Sequence, residues 1–233
     1  QFDDANNPTS HDTSSREPGR LEQQGDEAPG SEAGVAGAPA PEARAGHGSG
    51  ESRDVGATEF RNALASAAAK HPAGAAVTIH EVGDYRESGT RLFMDEAGTA
   101  GAAVTKDGSL ISVFRSPQAA TQIDDILKAA APHATKLDAF SSANGYLMNL
   151  YGRHGFRPVA RVSFDPAEAP GNWPEKLGKP DVVMMVRDPD GVTGAPEVKG
   201  NYAEIADQVP LVPYDEAIKV QSMMVDAVRK SAQ

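Results

Sequence analysis

Residues 1–54 contain only three large apolar side chains, Phe2, Leu21 and Val35. No other feature limits the fold so strongly. The rest of the stretch is dominated by Gly, Ala, Pro, Ser and Glu, and it cannot bury enough surface to offset the entropy of ordering it. A disordered tail or linker is expected there. About 180 residues remain, the usual size of one compact domain.

The charge is equally uneven. The tail carries eleven acids against four bases, and the remainder 22 against 18. The acidity keeps the tail solvated, and an interaction protein working through that tail is one function class left open. The remainder is nearly balanced and shows no basic stripe, which argues against nucleic-acid binding through phosphates. The chain has no cysteine, so disulfides, thiolate metal sites and a cysteine nucleophile are removed together. The six histidines show no metal-ligand spacing, and no metal is expected. No apolar run approaches the ~18 residues of a spanning helix, and no apolar signal core stands near the start, so no membrane contact is expected. The chain begins at Gln1 rather than Met, as a processed product or a piece of a longer protein does.

Periodicity then places the elements. Phe60, Leu64 and Ala67 or Ala68 predict a helix over 57–72, with Thr58 as cap and Pro72 as stop. The β-branched alternation of 75–82 predicts a strand. A strand and turn follow in 90–98, then two strand arms around Lys106-Asp107-Gly108, an Asp-Gly hairpin signal. Residues 116–133 read as a helix capped by Ser116, with Pro117 at the first helical position and Ile123, Ile126, Leu127 and Ala130 on its apolar face. A short strand (137–140), a helix stopped by Gly155 and a strand (156–165) come next. The continuous apolar run within 180–188 predicts a strand buried on both faces. A Gly- and Pro-rich connector leads to an amphipathic helix carrying Ile218, Met223, Met224 and Val228. The order predicts an α/β fold, with a mixed central sheet flanked by helices. It forms a single domain over 55–188, extended by a connector and C-terminal helix over 189–233.

In "NGYLMNLYGRHGF", Asn144 is followed by Tyr151 seven residues on, and by Gly155 and Phe156 four and five residues later. This spacing, with a strand before and after it, resembles the GNAT-type N-acetyltransferase superfamily, which moves an acetyl group from acetyl-coenzyme A to an amine. The resemblance implies direct attack by the amine of a small molecule or protein. It makes Tyr151 the acid that protonates the leaving thiolate. Asn144 would then bind the pantetheine arm or the neighbouring strand. The backbones of Ser112, Val113 and Phe114 would face pantetheine, and the loop from Arg115 through Gln118 and Thr121 to Ile123 would cradle the pyrophosphate. The family pattern of Gln/Arg, two residues, Gly, one residue, Gly/Ala falls here on Gln118, Thr121 and Ile123, so both small residues are replaced. Ile123 would crowd a close backbone approach, and Pro117 removes one N–H donor.

Each residue also has a packing reading. Tyr151 and Phe156 suit a core, Gly155 suits any left-handed helix stop, and 116–133 suits an ordinary capped helix. For the general base, Asp95 and Glu96 follow a strand, and a turn accounts for them equally well. His154 and His80 are open between proton transfer and covering a helix end. Trp173 either pins its loop or walls the acceptor pocket. The lost glycines favour a rival, a non-catalytic GNAT-like module in a larger assembly, meeting a partner protein through the tail or the C-terminal helix. The chain is also similar to acetyltransferase-like modules of large phage or mobile-element proteins. That likeness implies a virion-associated location, where the enzyme reading implies the cytoplasm.

Overall fold

The computed structural model describes residues 50–71, 74, 77–141, 145–169 and 173–233, with side chains from Gly56 onward. The fold is mixed α/β. Helix α1 (Gly50–Lys70) and the short α2 (Val82–Arg86) precede β1 (Arg91–Met94), β2 (Ala100–Val104) and β3 (Leu110–Arg115). Then come α3 (Ile123–Ala130), β4 (Lys136–Phe140), α4 (Tyr146–Gly152), β5 (Phe156–Val162), β6 (Val182–Arg187) and α5 (Tyr214–Ser231).

The strands form two three-stranded antiparallel sheets, ordered β1-β2-β3 and β4-β6-β5. The expected mixed sheet is therefore split. Its parallel component is reduced to single bridges, of which Ser109 with Lys136 joins the two sheets at the starts of β3 and β4. The Gly108 carbonyl accepts from Thr135 N–H at 2.8 Å and Lys136 N–H at 3.2 Å, which pins that junction. The apolar run of 182–187 becomes the central strand of its sheet, as full burial on both faces requires.

Both sheets share one apolar layer on one side. Phe93, Val104 and Leu110 from the first sheet pack with Leu137, Val183 and Met185 from the second, beneath Ile126 and Leu127 of α3 and Met148 of α4. On the opposite side the apolar residues fall into two separate clusters. Phe60, Leu64 and Tyr85 of α1 and α2 cover Ala103 and Phe114. Ala217 and Val225 of α5 cover Ala160, Met184 and Val186. The connector belongs to the shared core as well, since Val198, Tyr202 and Val209 are buried in it.

Several expectations are corrected. Helix α1 begins at Gly50, inside the stretch read as tail. Residues 77–81 form no strand, because no neighbouring strand offers them a ladder, and 82–86 is helical. There Glu81 and Asp84 form a capping box, and Tyr85 supplies the buried anchor. Helix α3 starts at Ile123, not Pro117. Ser116 caps nothing: its N–H bonds Thr99 and its hydroxyl bonds Gln118. Gly155 has φ +84°, yet it closes the turn after the C-cap Arg153 rather than ending the helix directly.

Candidate active site

Beyond the Ser109–Lys136 bridge, β3 and β4 belong to different sheets. Two parallel strands that touch at their starts and then lose their pairing leave a crevice toward their carboxyl ends. Open α/β sheets bind ligands in such crevices. On the side away from α3 and α4, α1 and α2 cover one sheet and α5 covers β5 and β6. The outer face of β4 lies between these two covers.

The β3 side of the crevice is distorted. The register between β2 and β3 shifts between Gly101 and Ala103. Ser112 within the shifted stretch has φ +52°, the one non-glycine residue with positive φ among the described residues. A serine held there costs about 1–2 kcal/mol. Gly101 makes the local packing possible, because a Cβ there would stand 2.7 Å from the Phe114 ring and 2.8 Å from the Phe93 carbonyl. Bulges of this kind re-aim backbone groups and occur beside active sites. Ser112 Oγ lies 2.7 Å from the Tyr85 hydroxyl, which in turn accepts from the His80 N–H at 3.3 Å. The His80 ring meets Tyr85 edge-on, and its carbonyl accepts from Arg61 Nε at 3.0 Å. The expected residues Ser112, Val113 and Phe114 thus do line this strand, although the Phe114 side chain is buried against Phe60.

The β4 side carries Asp138, which the sequence reading did not single out. Register places Asp138 opposite Met184 of the α5-side cluster, while Leu137 and Ala139 face the shared core. Water reaches Asp138, yet desolvation by the surrounding protein raises its pKa, against the lowering effects of its own N–H, Lys136 and His80. A carboxyl that is both accessible and surrounded lies in an open recess. Its isolated position in a short strand gave no sequence signal. Only the folded surroundings mark it, with Lys136 and His80 within electrostatic reach.

The candidate cofactor loop, 116–122, is an ordered turn rather than a helix. Arg115 holds it from below, donating through Nε to Thr121 O at 2.9 Å and through a terminal nitrogen to Ala119 O at 2.7 Å. Gln118 Oε1 accepts from Ser116, and Thr121 contributes a hydrogen bond to Asp95. Ile123 is only 8% exposed and packs in the shared core, so its side chain does not obstruct the loop. Among the described residues, no N–H from Ala120 to Asp124 is seen to donate to a protein acceptor. Such a run of open N–H groups at a helix start suits an anion. The first-turn acids are compensated. Asp124 accepts from Arg153 at 2.9 and 3.1 Å and meets His154 Nε2 at 3.1 Å, and Asp125 meets Lys128 at 3.3 Å.

Tyr151 lies on α4 in the shared core, 7% exposed, edge-on to Phe156. Burial first, then Asp138 and Tyr146, raise its pKa. The phenol therefore stays protonated at neutral pH and keeps a proton to donate. Asn144 lies outside the described residues. His154 is a strap between α3 and the end of α4. Asp95 is a turn residue. Burial pushes its pKa up, but bonds from Thr99 and Ala100 at 2.6–3.0 Å outweigh that and hold it low.

Two open surface hollows lie elsewhere, one lined by Thr58, Glu59 and Arg86, the other by Asn149, Arg153 and Lys199. Neither touches the crevice. No metal-holding group of three or more His, Cys, Asp or Glu occurs among the described residues. No helix among them is long and apolar enough to cross a membrane. No protein-family model matches the chain, and a search of curated proteins finds no match either.

Proposed function

We propose that the chain is a GNAT-type N-acetyltransferase that transfers an acetyl group from acetyl-coenzyme A to a primary amine. The observation that carries the reading is the parting of β3 and β4, with a bulge at Ser112 on one side and Asp138 on the other. The residues fit the cofactor. The N–H groups from Ala120 to Asp124 would hold its diphosphate, and the β3 edge at Ser112–Phe114, unpaired by β4, would bond its pantetheine amides. Acetyl-coenzyme A supplies an activated acyl group and a thiolate leaving group.

The protein's residues supply the proton traffic. Asp138, on the outer face of β4, accepts the proton the amine loses as its nitrogen bonds the acyl carbon. His80 lies within electrostatic reach of that carboxylate. Tyr151, on the opposite side and held protonated, donates to the sulfur as the carbon–sulfur bond breaks.

The test is calorimetric unfolding of the full chain with acetyl-coenzyme A. Ligand at about 100 times its dissociation constant adds about 2.7 kcal/mol, or roughly 5–10 °C in Tm. Tyr151→Phe should keep that shift and lose turnover by about 100-fold. Turnover is read as free thiol, and a chain without cysteine gives no background. No stabilisation at millimolar cofactor would refute the enzyme and leave the non-catalytic module, with 144–156 a packing device.

A further inference from the structure

Asp138 and Phe140 stand on the same face of β4, since Leu137 and Ala139 turn to the shared core and Met184 and Val182 opposite them pack under α5. Two residues along a strand place their Cβ atoms about 7 Å apart. Phe140 is not alone there. Its ring lies 4.9 Å from Trp173 and 6.5 Å from Phe164, and Phe164 lies 5.0 Å from Trp173, all three mutually tilted. The three rings are only partly buried. Trp173 is held by its own Nε1–H, which donates to Gly178 O at 2.9 Å. A merely structural cluster of this size would be expected to close over itself. This one keeps ring surface open beside a carboxylate.

We propose that this recess binds a small monoamine whose ammonium group meets Asp138 and whose aromatic body lies on Phe140, Phe164 and Trp173. The inference deepens the proposed function by naming its acceptor, and it rests on that reading for the chemistry though not for the binding. Three features set the class. The rings supply apolar and π surface, which attracts both an aromatic body and the carbon atoms beside a cation. The 7 Å offset suits a nitrogen two or three bonds from a ring. The charge pattern favours a monoamine over a polyamine, because Asp138 is the one acid of β4 and its strand neighbour Lys136 is already paired with Asp107 at 2.7 Å. On the far side, the Ser112–Tyr85–His80 chain borders the crevice where the acyl group would arrive.

Trp173 is the chain's only tryptophan, so its fluorescence reports on this recess alone. The experiment titrates the full chain with phenethylammonium, without cofactor, and follows that emission. A saturable change is expected. The neutral isostere 2-phenylethanol should bind at least tenfold more weakly, and so should spermidine. Asp138→Asn, at a water-accessible position that does not threaten folding, should weaken phenethylammonium tenfold or more while leaving Tm unchanged. Equal binding of the alcohol, or an unaffected Asp138→Asn variant, would overturn the proposal. So would the absence of any change up to tens of millimolar. The acetyl-coenzyme A melting shift is scored separately. A shift without amine binding sinks only this inference, and amine binding without a shift sinks only the acetyltransferase.

Discussion

Replacing Asp188 with alanine should destabilise the protein by about 3 kcal/mol at neutral pH, and the loss should disappear in acid. Asp188 follows β6 and presents no surface to solvent. Its carboxylate accepts from Val192 N–H at 2.9 Å, Thr193 N–H at 2.8 Å and the Thr193 hydroxyl at 2.6 Å. Hydrogen bonds to a charged partner contribute about 1.5–3 kcal/mol each. The full sum does not apply, because the freed donors lie near the surface and water can reach them, which brings the total to about 3 kcal/mol. For a domain of this size that is roughly 6–12 °C in Tm. The pH dependence follows from the sign of the shift. Burial pushes the Asp188 pKa up, but the Thr193 and Val192 bonds and the nearby Arg157 outweigh it and hold it low. A group with a depressed folded pKa contributes stability that is present above its unfolded pKa, about 3.9, and is lost as pH falls through the folded value. Calorimetry of both proteins at pH 7 and near pH 2 is the assay. A gap in Tm that is equally wide at both pH values would refute the reasoning, since the carboxylate's charge would then be irrelevant.

Two further predictions address how the sheets are joined and covered. Gly108→Ala should cost about 3 kcal/mol in urea unfolding, because φ is +85° and a Cβ would stand 2.4 Å from Thr135 Oγ1 at the sheet junction. Gly98→Ala, with φ +65° but open space around it, should cost only about 1 kcal/mol, and equal losses would show that crowding at the junction is unimportant. Gln221→Leu should cost about 2 kcal/mol, because its buried amide donates to Leu137 O at 2.9 Å and Met185 O at 3.1 Å. An unchanged denaturation midpoint would mean that those carbonyls need no second donor.

What the sequence alone determined is local. The Asp-Gly turn between β2 and β3, the amphipathic faces of α1, α3 and α5, and the doubly buried run of β6 follow from periodicity and turn chemistry, which neighbouring residues dictate. Even here the starts of helices slipped. Ser116 and Pro117 have the chemistry of a cap, but Arg115 binds the carbonyls of Ala119 and Thr121 and defers the helix to Ile123. The expected strand fails over its described part, 77–81, because pairing needs a neighbour that chain order does not reveal. The crevice was decided by tertiary structure alone. It depends on two strands, far apart in sequence, bridging at Ser109 and Lys136 and then parting, and on α1, α2 and α5 leaving Asp138 and Phe140 of β4 only partly covered. Asp138, a lone acid in a five-residue strand, acquires its environment only there, since desolvation and the fields of His80 and Lys136 arise from groups brought together by folding.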